Sequence, residues 1–253
     1  MAADLGATRF AKYVRSFGFG SKTGIDLPGE AEGGIFSKEK LHQVELATSS
    51  FGQGQTVTMI QLASAFSAVI NGGNYYQPHV VKEINSESGA VVSSNDNTLV
   101  KRVVSEDASK LIRKYLEKTV EDDEGTASPA RVKGYVIGGK TGTAEKWPRN
   151  EGKYLVSFAG FTPTDKPELM IYVVIDEPHV SDQAHSTYAT EFASEVLKDV
   201  LPMLGIYKQT GKSDSAKKIT LPSTKKGNQL LEVPKGGFSS STYKVAKSKK
   251  NNR

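Results

Sequence analysis

The order of segments along the 253 residues predicts an α+β fold, an antiparallel sheet flanked by helices. Segments with helical apolar spacing fill the first half. Three β-rich runs then follow one another between 132 and 178, and an amphipathic stretch closes the body.

From the N-terminus, Ala3 to Phe17 places Leu5, Phe10, Tyr13, Val14 and Phe17 on one helical face. The glycine-punctuated stretch FGFGSKTGIDLPGEAEGG that follows ends the helix in a loop. Ser37 is expected to cap a short polar helix over KEKLHQVE. After the turn SSFGQGQTVT, Met59 to Ile70 predicts a helix stopped by Asn71-Gly72-Gly73. NSESG and SSNDN mark turns of a polar hairpin region. SEDASKLIRKYLEKTVEDDEG predicts a helix, with a serine cap and acids in its first turn. The runs VKGYVIGGKTGTAEKW, YLVSFAGFTPT and ELMIYVVIDEP, separated by PRNEGK and PTDKPE, predict an antiparallel meander, and Thr187 to Leu204 a last helix.

Hydrophobic residues at 37% and charged residues at 24% suit a chain with a buried core. The absence of cysteine excludes thiol catalysis, disulfides and thiolate metal sites. No apolar run is long enough to span a bilayer, and MAADLGATRFAKY is not a signal peptide. The net charge of +5 is unevenly spread: 208–253 hold 12 of the 33 basic residues and two acids, leaving 1–207 with 21 basic and 26 acidic residues. Two regions follow, an acidic body at 1–207 and a basic tail at 208–253, expected to stay solvated because it holds too little apolar surface to offset ordering. Its lysines offer contact with an anionic surface. No recognition motif or aromatic stripe accompanies them, so nucleic acid is not expected as a partner.

Chemistry concentrates at Gly138-Gly139-Lys140-Thr141-Gly142-Thr143-Ala144. Strand alternation puts Lys140 and Gly142 on one face and Thr141 and Thr143 on the other. Small residues let a ligand approach the backbone. A lysine and two hydroxyls suit a carboxylate, and an exposed strand N–H suits an oxyanion. Lys22-Thr23-Gly24 repeats the triplet within the glycine loop, where a structural role is expected. His179 and His185 lie near Asp176, Glu177 and Asp182 but lack metal-ligand spacing, so no metal and no cofactor are expected. Gly52-Gln53-Gly54 lacks the GK[ST] of a phosphate loop and reads as a tight turn. Trp147 either lines a groove or caps the sheet.

LGATRFAKYVRSFGFGSKTGIDLPGEAEG at 5–33, LATSSFGQGQTVTMIQLASAFSAVINGG at 46–73 with YYQPHVVKEI after it, and VKGYVIGGKTGTAEK at 132–146 together carry a specific likeness. With them the chain resembles the C-terminal part of the transpeptidase domain of class B penicillin-binding proteins, over roughly 1–180. The resemblance implies the serine β-lactamase/penicillin-binding transpeptidase fold, with a groove between sheet edge and helices. It also implies peptidoglycan D,D-transpeptidase chemistry: a serine takes an acyl group from a stem peptide and passes it to an amine on another, and β-lactams acylate the same serine. Lys140 would then serve the serine's proton traffic, and Thr141 and Thr143, around Gly142, would hold the substrate carboxylate. The Thr143 N–H would form half of the oxyanion hole. Implied partners are stem peptides, β-lactams and cell-division or elongation proteins, at the extracytoplasmic face of the membrane. Where the family commonly has a Gly-Gly pair before its last helix, this chain has Ala184-His185-Ser186-Thr187-Tyr188-Ala189.

The family's SxxK serine and SxN motif precede the FGFG loop, so both are expected to lie upstream of Met1, in an N-terminal half that would be a further partner. Without them the chain is expected to be inactive. Ser37 to Lys40 and Ser93 to Asn95 imitate the two motifs in order, but Ser37 fits a helix cap and Ser93 to Asn95 a polar turn. Further SxxK matches at Ser215, Ser223 and Ser241 in the tail show how common the pattern is. Half a groove leaves core surface uncovered, which predicts poor solubility or molten behaviour of the isolated chain. Broad, weakly cooperative thermal melting is the expected outcome, and a sharp transition in calorimetry would contradict it.

Overall fold

The computed structural model describes residues 2–208; the basic segment beyond, with its expected solvated character, lies outside the described residues. The single N-terminal helix expected from periodicity is two, α1 (Ala2–Leu5) and α2 (Ala7–Ser16). Gly6, at φ 75°, bends the chain between them, a conformation that glycine adopts without steric cost. The stretch after Ser37 also divides, into a 3-10 turn at Lys38–Lys40 and α3 (Gln43–Ser49). Ser37 stands at the N-cap position of that 3-10 turn, but its side chain makes no capping hydrogen bond.

α4 (Met59–Ile70) has the predicted bounds. Thr58 and Gln61 form a reciprocal capping box at its start, which satisfies two otherwise orphaned N–H groups. At its end, the Arg113 guanidinium donates to the Ile70 carbonyl at 2.7 Å and the Ser109 hydroxyl accepts from Gly72 N–H at 3.0 Å. A two-part antiparallel ribbon follows: β1 (Asn74–Tyr76) pairs with β4 (Leu99–Arg102), and β2 (Glu83–Asn85) with β3 (Val91–Ser94). Ser93 and Ser94 therefore belong to a strand, not to the expected turn. The side chains of Ile84, Val91 and Val92 stay exposed.

α5 (Glu106–Glu121) starts on the predicted cap, Ser105, whose hydroxyl accepts from Ala108 N–H at 3.2 Å. The meander is also as predicted: β5 (Gly138–Glu145), β6 (Tyr154–Thr162) and β7 (Leu169–Asp176) form one antiparallel sheet in the order β5-β6-β7. α6 (Thr187–Met203) closes the described fold. One sheet face, with Phe158 and Val173, packs on Ala189, Ala193, Leu197 and Leu201 of α6. From the other face Phe161 meets Phe66 of α4, ring edge to ring face at 6.1 Å. Helices on both faces of an antiparallel sheet realise the expected α+β architecture. The outer edge of β7 pairs with no other strand among the described residues.

Gln61 joins the glycine loop to the helical part. It is fully buried, and its amide nitrogen donates to the carbonyls of Ser21 at 2.7 Å and Glu32 at 2.9 Å. Its amide oxygen accepts from Thr58 N–H at 3.0 Å, so one side chain satisfies three backbone groups from two segments. Leaving such groups without partners costs about 1–3 kcal/mol each. Gln61→Leu, which keeps the volume and removes the polar atoms, is expected to free the 17–34 loop. Limited proteolysis should cut that loop about tenfold faster or more, while amide protection in β5, β6 and β7 stays unchanged. Equal cleavage rates would show that Gln61 does not hold it.

Candidate functional site

β5 is an edge strand, and its backbone phase is fixed at both ends. At its start, the Thr119 hydroxyl of α5 donates to the Gly139 carbonyl, so the Gly139 backbone groups point away from β6. Just past its end, Lys146 N–H donates to the Lys153 carbonyl at 2.9 Å, so position 146 points toward β6. Residues alternate between these directions along a strand. Lys140, Gly142 and Ala144 thus face β6, while the N–H and C=O of Thr141 and Thr143 face the open edge. Register agrees, with Thr141 opposite Phe158 and Thr143 opposite Val156.

Glycine at 138 and 139 is a packing requirement. A Cβ at Gly138 would lie 2.6 Å from the Phe161 ring, and one at Gly139 2.4 Å from the ring of Phe158, which is fully buried. Gly142 differs, since a Cβ there would meet the Ser157 hydroxyl at 2.6 Å, the rotatable end of a side chain. On the same face, burial pushes the Tyr172 phenol above its ordinary pKa.

The strand brings Lys140, Thr141, Gly142 and Thr143 together as expected, with Lys140 and Gly142 on the α4 face and Thr141 and Thr143 on the other. Lys140 and Thr143 are exposed. The Lys140 ammonium donates to the Thr141 carbonyl at 2.8 Å, on the open edge. Beyond the strand, Lys146 bridges Asp176 at 2.8 Å and Glu177 at 2.6 Å, tying the end of β5 to the end of β7. Hydrogen bonds to the two carboxylates raise its pKa.

The second triplet shows the same chemistry used internally. Thr23 N–H and hydroxyl both donate to one Glu30 carboxylate oxygen, at 2.6 and 2.5 Å, and Gly24 N–H donates to the other at 3.0 Å. Burial works against this carboxylate, but these bonds outweigh it and hold Glu30 below its ordinary pKa. Sequence reasoning placed the triplet in a structural loop without finding Glu30, whose only signal is its position seven residues on. It also missed Thr119, a hydroxyl inside a helix that nothing in the local pattern marks.

The remaining candidates lie elsewhere. Asn95 donates to the Val81 carbonyl at 2.7 Å and its own N–H to that of Lys82 at 2.8 Å, which closes the ribbon. His185 pairs with Asp182 at 2.9 Å, while Asp182 accepts from Ala184 N–H; that backbone bond, then the imidazole, holds its carboxyl below its ordinary pKa. Trp147 is 85% exposed and does not cap the sheet. Gly54 forms the expected tight turn at φ 76°, where a Cβ would strike the Phe36 ring at 2.9 Å.

Residues 1–198 match the family model described as penicillin binding protein transpeptidase domain. The chain is 43% identical over 236 residues to Stage V sporulation protein D of Bacillus subtilis, covering 91% of this chain and 35% of that protein. That span exceeds the body, so the likeness reaches past the 1–180 expected from motifs. It is 29% identical over 204 residues to the probable peptidoglycan D,D-transpeptidase PenA of Neisseria meningitidis, covering 79% and 32%. The chain thus spans about a third of the length of these relatives. Penicillin binding protein 3 of Mycobacterium tuberculosis complexed with ampicillin aligns with a TM-score of 0.74 at 26% identity, covering 83% of this chain and 48% of that one. The apo transpeptidase domain of Burkholderia pseudomallei penicillin-binding protein 3 aligns with a TM-score of 0.72 at 26% identity, covering 83% and 61%.

The two glycines separate packing from access. Gly139→Ala overpacks a closed core and is expected to lower the stability of β6, read as amide protection, by about 2 kcal/mol. Gly142→Ala, which meets only a hydroxyl, should lower it by less than about 1 kcal/mol. Equal losses would contradict the packing described.

Proposed function

The chain belongs to the penicillin-binding protein transpeptidase family, and from that premise we propose that it is the KTG-bearing part of a peptidoglycan D,D-transpeptidase. The observation that carries the proposal is the open edge of β5, where the outward N–H of Thr143 lies three residues from an exposed Lys140. An acyl donor lying along this edge meets groups suited to the reaction. The Thr143 N–H stabilises the oxyanion of the tetrahedral intermediate, and the Thr141 and Thr143 hydroxyls hold the substrate carboxylate. Gly142 leaves room for the ligand. Lys140 supplies positive charge and assists proton transfer to and from the nucleophile. That the strand splits the hydroxyls and the ammonium between its faces fits a ligand that runs along the edge rather than over one face.

In this proposal the nucleophilic serine and the SxN motif come from sequence upstream of Met1, and the body at 1–207 is distinct from the basic segment at 208–253. The contacts of Asn95, which close a ribbon, and the place of Ser37 at the start of an exposed 3-10 turn support structural roles for both look-alikes. Partners are stem peptides and β-lactams, with cell-division or elongation proteins, at the extracytoplasmic face of the membrane. Among the described residues no helix is long and apolar enough to cross a membrane. The competing reading is a non-catalytic remnant that binds peptidoglycan or β-lactam without reacting; the exposed Lys140 ammonium, turned onto its neighbour's carbonyl, favours it.

Fluorescent penicillin separates the two. The chain alone is expected to gain no covalent label, and a stoichiometric adduct on Ser37 would overturn its structural role. If the reading frame upstream supplies SxN and SxxK, the longer polypeptide should label. Lys140→Ala should then slow acylation by about a hundredfold or more. An upstream region without those motifs would leave the remnant as the account.

A further inference from the structure

Away from β5, a cleft of 510 Å³ opens between α2, the 3-10 turn at Lys38–Lys40 and β4. Four cationic side chains line it, Lys12, Arg15, Lys38 and Lys101, with a single carboxylate, Glu39. That carboxylate is already engaged: it lies 3.7 Å from the Lys38 ammonium. The surplus of positive charge stands out in a body whose first 207 residues hold 26 acids against 21 basic groups.

Lys101 is the informative member. It is half-buried, with its ammonium 5.2 Å above the buried Tyr75 ring, and it forms no ion pair among the described residues. Burial lowers its pKa, so the charged form is held in a place that disfavours it. The ring compensates in part, since a cation over an aromatic face gains about 0.5–2 kcal/mol. A bound anion would supply the remaining counter-charge. Arg15 adds a planar fork suited to paired oxygens, and the lysines add point charges.

We propose that this cleft is a binding site for a multiply charged phosphate group. With Lys38 beside Glu39, Arg15 and Lys101 remain to meet a ligand; a single carboxylate would match one of them, whereas a phosphate brings more than one charge and three or more acceptor oxygens. The cleft's walls, Ala11 and the carbon stems of the basic side chains, suit a phosphate carried on a larger, partly apolar body. The site is independent of the β5 edge and of the reaction proposed for it.

Calorimetric titration of the full chain with inorganic pyrophosphate tests this, with sedimentation on phosphatidylglycerol vesicles against phosphatidylcholine as a second arm. Pyrophosphate is expected to bind, more weakly as salt rises, and Lys101→Met and Arg15→Gln should each weaken binding about tenfold. Lys101→Arg, which keeps the charge, should retain it, and this guards against a folding artefact. The basic segment at 208–253 is unchanged across these variants, so it cannot produce a difference between them. Lys101-dependent titration without Lys101-dependent sedimentation assigns a free phosphate compound, and Lys101-dependent sedimentation assigns a lipid headgroup. No binding, or binding equal in the wild type, Lys101→Met and Arg15→Gln, overturns the proposal.

Discussion

The grip of α5 on the first residues of β5 decides what the rest of the strand offers. The Thr119 hydroxyl takes the Gly139 carbonyl, and Gly138 and Gly139 let the strand close on Phe161 and Phe158. These contacts leave no freedom of register. Because alternation is strict, a phase fixed at Gly139 fixes it at Thr143 four residues later. A slip of one residue would turn the Thr143 N–H into the sheet and remove the oxyanion donor, even with every side chain still present. Access at Gly142 and Thr143 therefore depends on tight packing at Gly138 and Gly139, which carry no chemistry themselves.

The two KTG triplets show how context sets the use of one chemical pattern. In both, a threonine hydroxyl and backbone N–H groups are available to oxygen. In the glycine loop the chain supplies its own carboxylate, Glu30, and the site is closed. Gln61 and Asp26 fasten that loop to its surroundings, Gln61 to α4 and Asp26 by accepting from the N–H groups of Val80 and Val81 at 2.8 and 2.9 Å. Those two backbone bonds chiefly hold the Asp26 carboxyl below its ordinary pKa. On β5 no described residue plays the part of Glu30, and Thr143 is exposed.

Long periodic segments and their punctuation were legible in the sequence. α4 lies between its capping box and Asn71-Gly72-Gly73, and the meander between its turns, as expected. Short elements were not, because few local bonds define them. Gly6 broke a helix that apolar spacing joined, and Ser93 and Ser94 entered a strand through pairing with residues on the far side of a hairpin. At the candidate site, residue identities and the split of side chains between faces followed from alternation. Which backbone groups point outward did not, since that depends on a hydroxyl twenty residues away in α5. The basic cleft was invisible for the same reason: Arg15, Lys38 and Lys101 are scattered in sequence and meet only through packing.

Amide hydrogen exchange resolved along β5 tests the phase of this strand most directly. The N–H groups of Lys140, Gly142 and Ala144 should exchange slowly, bonded to β6, and those of Thr141 and Thr143 should exchange fast. The reverse pattern, with Thr143 protected and Gly142 fast, would contradict the placement of an oxyanion donor on the open edge.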